Sequence, residues 1–182
     1  FGNPVAQRYG LVSALLQSRQ LERAAQEFVP LRKHAQNNAM ITTLAGQLRR
    51  AGAISEPNIS GFYRNATQNF PQHRALVYDY AEVLLQEKKF DDALSLLNKQ
   101  IAAHPNDPRL YELQARTYAV LGRHQEEHHA LAYNYILHGN LRGAIEQLEL
   151  AKHAGNNFQE LSTIEIELKQ FREIAAAHEK KR

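Results

Sequence analysis

The chain has 182 residues, 43% of them hydrophobic and 23% charged, a composition that supplies a domain-sized core and excludes wholesale disorder. Its formal net charge of +3 is too small to make a nucleic-acid footprint without clustering, and the one dense basic run, Lys180-Lys181-Arg182, is the end of the chain and reads as a frayed tail. No apolar stretch approaches the roughly 18 residues a membrane span needs. The absence of cysteine removes disulfide and thiolate chemistry and suits cytosol and periplasm equally. Because the first residue is Phe1 rather than Met, the expectation is a fragment of a longer chain or a processed product.

In chain order, the predicted elements are helices that repeat. The first pair spans about Val5 to Asn38, with Leu11, Val12, Leu15, Leu21, Ala24, Phe28 and Leu31 inward. The second spans about Ala39 to Gln72, with Leu44, Ala45, Leu48, Ile59, Phe62, Tyr63 and Ala66 inward. Ser55 is the expected N-cap of its second helix, with Pro57 in the first turn. The third, residues 73–107, is the most regular. Val77, Tyr80, Ala81 and Leu84 share one face at helical spacing, Phe90, Ala93 and Leu97 mark the partner helix, and His104-Pro105-Asn106-Asp107-Pro108 ends it. The fourth, residues 108–138, breaks the period. Its second helix, about His124 to His138, serves again as the first helix of the segment 124–156, in which Leu131, Ala132 and Tyr135 face inward. A helix from about Asn157 to His178, with Leu161, Ile164, Leu168 and Phe171 on one stripe, closes the array.

The spacing identifies the unit. Gln20-Leu21-Glu22-Arg23-Ala24 recurs as Lys89-Phe90-Asp91-Asp92-Ala93 and as Asn140-Leu141-Arg142-Gly143-Ala144. Ala24 and Ala93 are 69 positions apart, Ala93 and Ala144 are 51 apart, and Pro71 and Pro105 are 34 apart. Thirty-four residues is the length of the tetratricopeptide repeat, and 51 is one and a half of them. The small residues let paired helices approach closely, and stacked pairs bury what one pair cannot. The sequence therefore predicts an all-α, right-handed tetratricopeptide-repeat solenoid of about ten antiparallel helices with a C-terminal capping helix, as a single domain over 1–182.

Catalytic motifs are weak. His124-Gln125-Glu126-Glu127-His128 places two histidines on one helix face, but the zincin pattern needs Glu directly after the first His, where this chain has Gln125. No third ligand follows from sequence, so no metal, cofactor or catalytic residue is assigned and the fragment is expected not to be an enzyme. A cationic clamp for a C-terminal carboxylate is rejected at Tyr9, Ser13, Leu44, Ala75 and Asp79, which supply no Lys–Asn pair. Asn65-Ala66-Thr67, a glycosylation match in mid-helix, is given no weight. The inner wall expected from the register comprises Tyr9, Ser13, Thr43, Gln47, Arg50, Tyr78, Glu82, Glu112, Arg116, His129 and Tyr133. Its mixture of aromatics and both charges suits a protein or peptide partner rather than phosphate backbone. Arg50 and Arg116 are expected to stand solvated, so that alanine at either weakens binding and spares folding.

The second half carries a more particular likeness. His129-Ala130-Leu131-Ala132 and Leu137-His138-Gly139-Asn140-Leu141-Arg142-Gly143-Ala144-Ile145-Glu146-Gln147-Leu148, with the half-repeat step and the opening Arg8-Tyr9-Gly10-Leu11, resemble the C-terminal region of bacterial periplasmic M48-type zinc metalloproteases of the β-barrel assembly-enhancing kind. The resemblance implies a zinc-binding H-E-x-x-H peptidase domain ahead of this segment, a periplasmic location, and outer-membrane β-barrel assembly components as partners. The fragment itself would be the docking arm, with no zinc and no transferable catalytic residue. The alternative is a tetratricopeptide adaptor of another assembly machine, for a pilus or the outer membrane, with no protease attached.

Overall fold

The computed structural model describes residues 3–155 and 158–179. The predicted start of the last helix at Asn157 and the basic tail Lys180–Arg182 lie outside the described residues. The chain divides into two compact units, residues 1–83 and 84–182.

The first unit opens with α1 (Pro4–Gln17). Asn3 caps it, its side chain accepting from the Val5 amide at 2.9 Å, and Pro4 sits in the first turn, where a missing N–H costs nothing. The returning helix is α2 (Leu21–Phe28), a 3-10 turn (Val29–Leu31) at Pro30, and the short α3 (Arg32–Ala35). Then follow α4 (Ala39–Arg50), α5 (Ile59–Asn69) and α6 (Arg74–Gln86), the last crossing the division between the units. Val12, Leu15, Ala24, Phe28, Leu31 and residues of α4 form one buried cluster. Leu11, expected inward, is instead 44% exposed. It is Val12 and Leu15 whose three-residue step meets α2 and α4.

The second unit continues with α7 (Phe90–Ala103), α8 (Pro108–Val120), α9 (His124–Leu137), α10 (Leu141–Ala154) and α11 (Phe158–Glu179). Ala132, Leu148, Ala151, Ile164 and Leu168 are buried together where α9, α10 and α11 meet. With α2 and α3 taken as one bent helix, the described residues form ten helices and no strand. None of the helices is long and apolar enough to cross a membrane.

Turn conformation shows the repeat more directly than side chains do. Left-handed backbone occurs at Arg19, Gly52, Lys88, Gly122 and Gly139, each just after the first helix of a pair. Among the described residues, returns from second to first helices lack it. They break instead at Phe70 and His104, which share φ near −130° to −138° and ψ of 65° because Pro71 and Pro105 exclude the residue before them from the helical region. Two left-handed turns in immediate succession, at Gly122 and Gly139, flank α9, so α9 closes one pair and opens the next. Arg19 and Lys88 carry a Cβ where glycine has none. Lys88→Gly is therefore expected to raise stability by about 0.5–1 kcal/mol, and Gly122→Ala to lower it by a similar amount. Thermal melts of the two variants check this.

The predicted cap of α5 is wrong. The helix begins at Ile59 and Asn58 caps it, accepting from the Gly61 amide at 2.9 Å. Ser55 and Pro57 stay in the loop, where Glu56 is held by Arg49 at 3.2 Å.

Candidate partner-binding site

In the first unit the expected inner-wall residues behave unequally. Gln47 is exposed, and Ser13, Tyr78 and Glu82 are half-buried. Tyr9 is half-buried and packs against the core cluster. Thr43 offers no surface. It is buried, its hydroxyl donating to the Ala39 carbonyl at 2.8 Å, so it lines nothing a partner can reach. Arg50 does not stand free either. Its Nη1 donates to Asp79 Oδ1 at 2.6 Å, and the fully buried Tyr63 reaches the other oxygen of that carboxylate at 3.5 Å. Burial lifts the Asp79 carboxyl above its ordinary value although Arg50 pulls it down, and burial with the charge of Asp79 pushes the Tyr63 phenol far up. Gly46 makes room for that phenol, since a Cβ there would lie 2.5 Å from the Tyr63 oxygen. The Arg50–Asp79–Tyr63 cluster thus ties α4, α5 and α6 together rather than waiting for a ligand.

In the second unit two of the expected residues do converge. Tyr133 Oη donates to Glu167 Oε1 at 2.6 Å, and His129 Nε2 lies 2.7 Å from Glu167 Oε2. The Tyr133 ring stacks on Tyr111, with centroids 5.1 Å apart and planes 10° from parallel, and meets the edge of His129 at 5.5 Å. Burial alone would raise the Glu167 carboxyl, but the bonds from His129 and Tyr133 outweigh it and hold the group below its ordinary 4.5. Burial and the Glu167 carboxylate push the Tyr133 phenol far up. A carboxylate depressed in the folded state contributes stability above its unfolded value, and that contribution is lost as pH falls through the folded value. Glu167→Gln is therefore expected to melt lower than the parent at pH 7, with the gap closing below pH 4.5. A gap that stays constant in melts down to pH 3 overturns this.

These groups border a pocket of about 530 Å³. Ile101, Pro105, Ala130 and Ile164 give it apolar wall, Tyr111, Tyr118 and Tyr133 give it rings, and Glu126 and Glu160 give it carboxylates. Tyr111 is anchored by donating to the Pro105 carbonyl at 3.1 Å, and Asn134 by donating to the Pro108 carbonyl at 2.9 Å. Gln125 lines the pocket and its amide end packs against Gly155, where an added Cβ would displace it. Of the remaining expected residues, Glu112 pairs with Arg109 at 2.6 Å and Arg116 is exposed on α8, outside this wall. The two histidines of the weak metal motif turn to different partners: His124 to Glu127 at 3.0 Å and His128 to Gln147 at 2.9 Å. Among the described residues no three His, Cys, Asp or Glu side chains group as metal ligands.

Sequence reasoning missed Tyr111, Tyr118, Glu126, Glu160 and Glu167. A signal was present on α11, where Glu160 and Glu167 fall four before and three after the buried Ile164, on its inward stripe.

Comparison with known proteins places the architecture. A tetratricopeptide repeat family model matches residues 61–117. The solved MamA RS-1 ArsTM double mutant is 18% identical, with 97% of each chain covered and a TM-score of 0.61. MamA 41-end from Desulfovibrio magneticus RS-1 is 17% identical, with 97% of each chain covered and the same TM-score of 0.61. Identities this low speak to the fold alone. No curated protein sequence matches the chain. The fold is all-α and of the tetratricopeptide type.

Proposed function

We propose that the chain docks a protein partner through the α8–α9–α11 face, without chemistry of its own. The observation that carries this reading is the pocket of the second unit, in which three tyrosines and two carboxylates stand around apolar wall. Aromatic rings fixed by hydrogen bonds are the residues that anchor partners at low entropic cost. The test is photo-crosslinking from an unnatural aromatic placed at Tyr118 or Gln114, both of which line the pocket, against one at Arg142, whose side chain is 91% exposed on α10. Crosslinks to one defined protein from positions 118 and 114, and none from 142, are expected. The reverse pattern moves the site to another face.

The finer reading is that the module is the docking arm of a periplasmic M48-type zinc metalloprotease acting in outer-membrane protein assembly or quality control. It is supported by the resemblance of the stretch from Leu137 to Leu148 and by the doubled use of α9. The protease and its zinc would lie ahead of Phe1. Determination of the coding sequence there decides it: a signal peptide and H-E-x-x-H are expected, and their absence leaves an adaptor of another assembly machine.

A further inference from the structure

The docking reading names a face but not what enters it. The charges around the pocket do. Besides three tyrosines, its ionisable wall groups are Glu126, Glu160 and His129, with no Lys or Arg among the described residues that line it. Glu167 stands directly behind His129 and Tyr133. A chain with an excess of basic residues has thus collected carboxylates at this one concavity. Glu126 is already paired. Arg123 holds it at 2.5 Å, and the same guanidinium lies over the Tyr118 ring, 4.8 Å from its centroid. Glu160 differs: among the described residues it has neither an ion pair nor a hydrogen bond, although its charge is felt by Arg123 and Tyr118. One carboxylate of the pocket has its guanidinium and its aromatic face, and the other lacks its cation.

We infer that the pocket receives an arginine side chain from an extended partner segment, its guanidinium against Glu160 and its aliphatic stem along the Ile101–Ile164 wall. The inference rests on the docking reading for the source of that side chain. Arginine is favoured over lysine because a guanidinium is planar, weakly hydrated, and able to stack on a ring while forking onto a carboxylate. The Arg123–Tyr118–Glu126 arrangement shows this combination on two residues of the wall and one beside them. An anionic occupant is opposed by every carboxylate present. The volume, about 530 Å³, holds one long side chain with the backbone beside it and falls within the range of specific ligand pockets.

The test uses the whole chain and three blocked peptides, acetyl-Gly-Leu-X-Leu-Gly-amide, in which X is arginine, citrulline or glutamate. Citrulline has the shape of arginine without the charge. NMR of the tyrosine ring signals reads binding. The arginine peptide is expected to shift Tyr111, Tyr118 and Tyr133 saturably, the citrulline peptide to bind about tenfold more weakly, and the glutamate peptide not to bind. Glu160→Gln keeps the side-chain size, and its fold is checked by amide dispersion. It is expected to weaken the arginine peptide by about fivefold or more and to leave the citrulline peptide unchanged. Equal affinity for arginine and citrulline overturns the inference while the docking reading stands. Ring signals unmoved by the arginine peptide, or an arginine affinity indifferent to Glu160→Gln, also overturn it. In each case the crosslinking pattern judges the docking reading independently.

Discussion

Ala93→Leu is expected to lower the stability of the chain by about 1–3 kcal/mol, a fall in Tm on the order of 2–12 °C for a protein of this size. Ala93 is fully inaccessible on α7, as are Ala24 on α2 and Ala144 on α10 at the equivalent places in their repeats. At each the helix spacing is set by a methyl group. Three additional heavy atoms have no void to enter and must displace a helix or leave their rotamer wells. Ser95, two residues on, is exposed, so Ser95→Leu adds an apolar side chain to the same helix at little cost and serves as the control, within about 0.5 kcal/mol of the parent. Equal melting of Ala93→Leu and Ser95→Leu would show that these positions tolerate bulk and that the recurrence of alanine is not a packing constraint.

That recurrence was legible because it is intrinsic to single residues. Alanine is small wherever it stands, and proline restricts its predecessor in any context, so Ala24, Ala93, Ala144, Pro71 and Pro105 announce a period before any fold is known. The left-handed turns at Gly52, Gly122 and Gly139 belong to the same layer of information. At Arg19 and Lys88 an identical conformation is imposed by the flanking helices on residues that do not advertise it, and the sequence is silent. Thr43 misled for a different reason. Its hydroxyl looks like surface, but it donates to the carbonyl four residues earlier, at 2.8 Å, and a hydroxyl satisfied by its own helix can be buried. The candidate site was half legible. His129 and Tyr133 follow from helix register, whereas their partner Glu167 lies 38 residues from His129 on the helix expected to cap the array. Pairings of that range depend on how helices stack, which no local pattern encodes.

Arg50→Ala marks the sharpest difference between register and structure. Register alone makes Arg50 a solvated anchor whose loss weakens binding and spares the fold. In the structure its guanidinium is the cation for Asp79, with side-chain exposures of 25% and 16% for the two partners. Its removal strands a carboxylate that burial already disfavours, beside a phenol that offers only one long bond at 3.5 Å. The expected cost is about 1–2 kcal/mol, below the roughly 3–5 of a fully buried pair because water still reaches both groups. The pH dependence fixes the cause. Asp79 is raised from 3.8 in the parent with Arg50 as the largest opposing influence, so the variant raises it further. A carboxyl raised in the folded state contributes its full stability below the unfolded value and loses it as pH climbs through the folded one. The deficit of Arg50→Ala relative to the parent should therefore be smallest near pH 3.5 and widen toward pH 7. Asp79→Asn in the same background removes the charge and should restore most of the loss at pH 7. A parent-like melt for Arg50→Ala at neutral pH, together with weakened partner binding, would return Arg50 to the role of a free anchor and make the Asp79 contact incidental.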